Sequence, residues 1–90
     1  MPERTVVVAN EKGLHVRPAT AFAQQASKFA CRVQVVKGAQ VVNGKSSIEL
    51  LMLAAVPGTA LTIRAEGDDA PAAVETLAKF VEAKFGMRDD

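Results

Sequence analysis

The chain has no tryptophan and no tyrosine, and only four phenylalanines, one histidine and one cysteine among its 90 residues. Each scarcity excludes something. Cys31 alone cannot close a disulfide within the chain, and one cysteine with one histidine cannot complete a tetrahedral zinc site. No metal and no cofactor are therefore expected. Lys and Arg form no run and the formal net charge is +1. The strand-like segments offer no aromatic platform for bases, so no nucleic-acid surface is expected either. The longest apolar run, "LLMLAAV", is far short of the roughly 20 residues that cross a bilayer. The opening "MPERTVVVANEKG" has too few consecutive apolar residues for a signal-peptide core. The expectation is a cytoplasmic protein without membrane insertion.

What is present fits one small domain over 1–90. Hydrophobic residues make up 49% and charged residues 23%, an ordinary globular balance. Ninety residues leave too little chain for two cores. The core must come from Val, Leu, Ile, Ala and a few Phe.

The patterning alternates between two periods. "RTVVVA", residues 4–9, is short and β-branched and reads as a strand. From Arg17 to about Phe29, apolar residues recur at helical spacing through Ala19, Phe22, Ala23 and Ala26. Pro18 sits in the first turn, where a missing N–H costs nothing. "RVQVVK" (32–37) and "QVVN" (40–43) read as strands joined by a two-residue Gly38-Ala39 hairpin turn. Ser46 followed three residues later by Glu49 reads as a capping box opening a short helix. "ALTIRAE" (60–66) alternates Leu61, Ile63 and Ala65 against polar residues, so it is a strand with one buried face. The last helix carries Val74, Leu77, Ala78, Val81 and Phe85, with Gly86 as its stop and "MRDD" as a frayed tail. The order β-α-β-β-α-β-α suits an α+β fold, with helices on a single face of an antiparallel sheet.

Three stretches could carry chemistry. In "NEKGLHVRPAT", residues 10–20, His15 stands where a helix begins. The first amides of a helix lack intrahelical partners and favour an anion. Arg17 adds a fork of donors suited to phosphate. Gly13 allows close approach, and an imidazole is a nucleophile as well as a base. A phosphoryl group carried on His15 satisfies all of these. A solvated loop histidine is the bland alternative, and no serine or cysteine spacing supports a general-base role. "NGKSS" lacks the glycine that a nucleotide-binding loop requires five positions before Gly44, and Ser46 is in the first place a helix cap. "IELLML" is too short a helix to bury all its apolar residues, so part of it should form a partner surface.

"GLHVRPA", residues 13–19, resembles the active-site signature of the HPr family, the histidine-containing phosphocarriers of the bacterial phosphoenolpyruvate-dependent sugar phosphotransferase system. The family usually reads G-L-H-A-R-P-A, so Val16 is a mild departure. The element order, "NGKSS" and the chain length are similar from end to end. The resemblance implies an HPr-like open-faced β-sandwich, four antiparallel strands with three helices on one face. It implies a monomeric carrier rather than an enzyme. His15 would take a phosphoryl group on Nδ1 from phospho-enzyme I and pass it to an enzyme II A component, with Arg17 beside the phosphate. It implies docking through Val16, Thr20, Ser47, Ile48 and Leu51, and regulation at Ser46 by an HPr kinase/phosphorylase. Position 47 is apolar in much of the family but is Ser47 here. Glu49 places a carboxylate where glycine or lysine is common, and that charge would repel a phosphoserine. A pure binding module acting through Ser46 would have no need of the His15–Arg17 pair. A nucleic-acid or metabolite-binding domain that merely shares the architecture would need a basic or aromatic sheet face.

Overall fold

The computed structural model describes residues 2–9 and 11–86. Four strands and three helices follow in the order β1 (Glu3–Val7), α1 (Val16–Ala26), β2 (Arg32–Lys37), β3 (Gln40–Asn43), α2 (Ser47–Met52), β4 (Ala60–Glu66) and α3 (Ala70–Glu82). A single 3-10 turn, Lys84–Gly86, closes the described chain. The strands form one sheet in the order β1-β4-β2-β3, antiparallel throughout. The expected α+β class and open-faced sheet are what the chain adopts. The tail "MRDD" lies outside the described residues.

The alternation of the strands decides which face is covered. Val6, Val33, Val35, Leu61, Ile63 and Ala65 point to one side and are buried. Against them lie Ala19, Phe22 and Ala26 of α1 and Ala73, Val74, Leu77, Ala78 and Val81 of α3. The opposite face is mixed, with Val7 and Val41 exposed beside polar side chains. Thr5 and Thr62 share a hydroxyl hydrogen bond across β1 and β4 at 3.0 Å. Two residues along, on the same face, Arg64 Nε donates to Glu3 Oε1 at 3.2 Å. These cross-strand pairs are exposed and contribute little beyond register.

The element ends show where tertiary contacts override local pattern. The β2–β3 turn has positive φ at Gly38 (58°), as a hairpin with glycine at its first central position requires. α1 stops at Ala26 rather than running to Phe29. The Ser27 hydroxyl donates to Ala23 O at 2.8 Å, a local bond that competes with helix continuation. Lys28 and Phe29 N–H then bond only three residues back, to Gln25 and Ala26. α3 also ends before Phe85. That residue turns into left-handed backbone (φ 58°) and folds its ring back edge-on against Phe22 and Phe80, with centroids 6.4 and 6.0 Å away.

Four long-range bonds tie the connecting segments of the helices and strands together. Asp69, just before α3, accepts from Ala30 N at 2.9 Å and Cys31 N at 3.0 Å. Lys45 Nζ donates to Phe29 O at 2.7 Å, and Lys37 Nζ donates to Leu53 O at 2.8 Å. The lysines satisfy carbonyls just past the C-terminal ends of α1 and α2, where a cation also meets the negative end of the helix dipole.

Candidate functional site at the start of the first helix

His15 is the N-cap of α1, with extended backbone (φ −112°, ψ −165°), and its side chain makes no cap bond to the helix. Its carbonyl accepts from Ala19 N at 3.0 Å, closing the first turn. The imidazole is partly exposed, and Val16 and Arg17 follow on exposed positions. Pro18 is buried in the same turn. No acidic residue stands in the first turn. The positive end of the helix dipole, the leading amides and the Arg17 guanidinium therefore act together, without an internal counter-ion in that turn.

The segment before His15 is held against the segment after α2. Gly13 is buried and has φ +70°, and a Cβ placed there would lie 2.5 Å from Ala55 O. Only glycine meets both demands, the left-handed backbone and the lack of room. Leu14 N donates to Ala55 O at 2.8 Å. At the far end of the same pair of segments, Val8 N donates to Thr59 O at 2.9 Å and Gly58 N to Val8 O at 2.8 Å. His15 thus enters α1 from a strap bonded at both ends to residues 55–59.

α2 lies beside this strap. The Ser46 hydroxyl accepts from Glu49 N at 3.2 Å, the first half of the expected capping box. The second half differs. The Glu49 carboxylate does not return to Ser46 N, which is occupied by Asn43 O at 3.1 Å. It instead accepts from Asn43 N at 2.9 Å, so α2 is stapled to the end of β3.

The residues expected to dock a partner lie on α1 and α2, two helices in contact with each other. Thr20 of α1 and Ser47 of α2 line a shared cleft of about 340 Å³ with Gln24 and Ser27. Ile48 and Val16 are 72% and 62% exposed, while Leu51 is partly buried and packed against the core. Met52, one of the "IELLML" residues expected to supply a partner surface, is 67% exposed and shares a helix face with Ile48, four residues before it. Sequence reasoning did not single out Val56, which is 64% exposed. Val56 lies in a turn and gives no periodic signal. Among the described residues, no group of three or more His, Cys, Asp and Glu side chains could hold a metal ion, and no helix is long and apolar enough to cross a membrane.

The structure is an open-faced antiparallel sheet roofed by helices, with His15 and Arg17 at the start of one of them. A family model described as "PTS HPr component phosphorylation site" matches residues 2–83. The phosphocarrier protein HPr of Neisseria meningitidis is 37% identical over 86 residues, which cover 96% of this chain and 97% of that protein. The phosphocarrier protein NPr of Shewanella violacea is 39% identical, covering 92% and 91% respectively. The crystal structure of HPr-C-His from Thermoanaerobacter tengcongensis superposes with a TM-score of 0.92 at 40% identity, over 98% of this chain and 99% of that one. The chain belongs to the HPr family of phosphocarriers of the phosphotransferase system.

Proposed function

We propose that this chain accepts a phosphoryl group on Nδ1 of His15 from phospho-enzyme I and hands it to an enzyme II A component. The observation that carries this reading is the place of the imidazole, at the N-terminus of α1 beside Arg17, in a first turn without acid. In the transfer, the Nδ1 lone pair forms the N–P bond as the bond between phosphorus and its atom on enzyme I breaks. Arg17 and the leading amides of α1 share the charge of the phosphoryl oxygens. The donor protein supplies the rest of the catalysis, so this chain needs a held nucleophile and an exposed docking face. Val16, Thr20, Ser47, Ile48 and Leu51 form that face in our reading, extended by Met52 and Val56.

Incubation with phosphoenolpyruvate and enzyme I should add one acid-labile phosphate to the intact protein, and His15→Ala should abolish it. Arg17→Met should slow acceptance by about a hundredfold, the usual effect of losing one charge-stabilising donor. No phosphate gain from any cognate enzyme I would defeat the proposal.

Ser46 is the second proposed site of modification, by an HPr kinase/phosphorylase. A phosphate there would share its helical turn with the Glu49 carboxylate, and the two negative charges would oppose each other. Modification of Ser46 should therefore be faster in Glu49→Gln than in the parent, read by mass spectrometry over a time course.

A further inference from the structure

The strap that holds His15 is anchored by a chain of contacts that begins on the far side of α2. Lys37, the last residue of β2, reaches across to donate from Nζ to Leu53 O at 2.8 Å. Leu53 is the C-cap of α2 and is fully buried. Its carbonyl belongs to the last turn, where no intrahelical donor remains. The next residue, Ala54, has φ +51°, a left-handed conformation that costs a residue with a Cβ more than it costs glycine. That turn brings Ala55 round so that its carbonyl faces Leu14 N at 2.8 Å. Leu14 is directly followed by His15.

Two features argue that this chain is built to hold the imidazole and does more than cap a helix. The backbone at Gly13 runs close to the segment after α2, since a Cβ there would come within 2.5, 3.1 and 3.3 Å of atoms of Ala55, Val56 and Pro57. A shift of Ala55 would therefore bear on Gly13 by that close approach and on Leu14 by its hydrogen bond. In addition, a strained turn at an alanine persists only where its surroundings fix it, and the charge-assisted bond from Lys37 sits on the carbonyl immediately before the strained residue. We infer that Lys37 is a positioning residue for His15, acting through the Ala54 turn and the hydrogen bond from Leu14 N to Ala55 O. Phosphoryl transfer at His15 rests on the proposed function above, whereas the mechanical link stands on the geometry alone.

Lys37→Met keeps most of the aliphatic stem and removes the donor. It should speed hydrogen exchange at the Leu14 amide about tenfold and shift the His15 ring signals in an NMR spectrum at fixed pH. It should also lower kcat for phosphoryl acceptance about tenfold, since small misplacements of a reacting group are costly. KM for phospho-enzyme I should stay within about twofold, because the docking face is untouched. Lys37→Arg, which keeps a cationic donor, should restore all of these. If Lys37→Met does not fold, Lys37→Gln should give the same changes at smaller size. A lower melting temperature with unchanged Leu14 exchange and unchanged His15 signals would overturn the inference and leave Lys37 as a helix cap alone. If the parent takes no phosphate at all, the carrier reading fails, while exchange and ring signals still decide the positioning role.

Discussion

α1 and α2 stand side by side and reach stability by different routes. α1 has eleven residues and buries Pro18, Ala19, Phe22, Ala23 and Ala26. Packing holds it, and its first turn can do without an acid. α2 has six residues and fully buries only Leu50, with Ile48 and Met52 turned outward. A helix of that length is not stable by itself in water. It is fastened at both ends by borrowed groups, Ser46 Oγ and the Glu49–Asn43 bond at its start and Lys37 at its close. The comparison teaches that a segment can present apolar side chains to solvent if its ends, rather than its face, are tied down.

The largest test of this contrast is Leu50→Ala. It removes the buried anchor of α2 and should cost about 2–5 kcal/mol, whereas Ile48→Ala should change stability by less than about 0.5 kcal/mol. Chemical denaturation of both variants checks the pair, and a costly Ile48→Ala would break the contrast. Ser46→Ala comes next. Loss of the cap should cost about 1 kcal/mol, while a cap change at α1 such as His15→Ala should cost much less. Ala54→Gly should act in the opposite direction. Relief of the left-handed backbone should exceed the added chain entropy and raise stability by a few tenths of a kcal/mol, seen as a higher Tm.

The smallest effect is a pH dependence away from both helices. The Ala30 amide, then the Cys31 thiol and amide, hold the Asp69 carboxyl below its ordinary value of 3.8. A group whose folded pKa is depressed adds stability above its unfolded pKa and loses it as pH falls through the folded value. The parent should therefore lose stability below about pH 4 more steeply than Asp69→Asn, as acid titrations of the two will show. Burial, with the Asp69 carboxylate alongside, pushes the Cys31 thiol up. That contribution is instead lost as pH rises above the ordinary thiol range.

Much of this architecture was legible from periodicity. β2, β3 and β4 fall where alternation and the Gly38-Ala39 turn put them, because a strand with one wet face writes its register into every second residue. His15 at a helix start was also legible, from Pro18 in the first turn and the apolar stripe beyond it. The lysine bonds to Leu53 and Phe29 were not, because each spans sixteen residues along the chain and depends on two elements meeting. The same holds for Asp69, which stands just before α3 and spends its carboxylate on the loop after α1. Glu49 shows the limit most clearly. Its spacing from Ser46 announced a reciprocal box, but the Asn43 carbonyl had already taken the Ser46 amide, and the side chain found its donor at Asn43 N instead.

That diversion has a consequence for self-association. β3 is the outermost strand on its side of the sheet, and edge strands invite other chains to add on. Here the strand is four residues long, and the Glu49 carboxylate already occupies its final amide. A neighbouring molecule would find too short a row of donors and a negative charge at its end. The side chain that fastens α2 thus also blunts the free edge of β3.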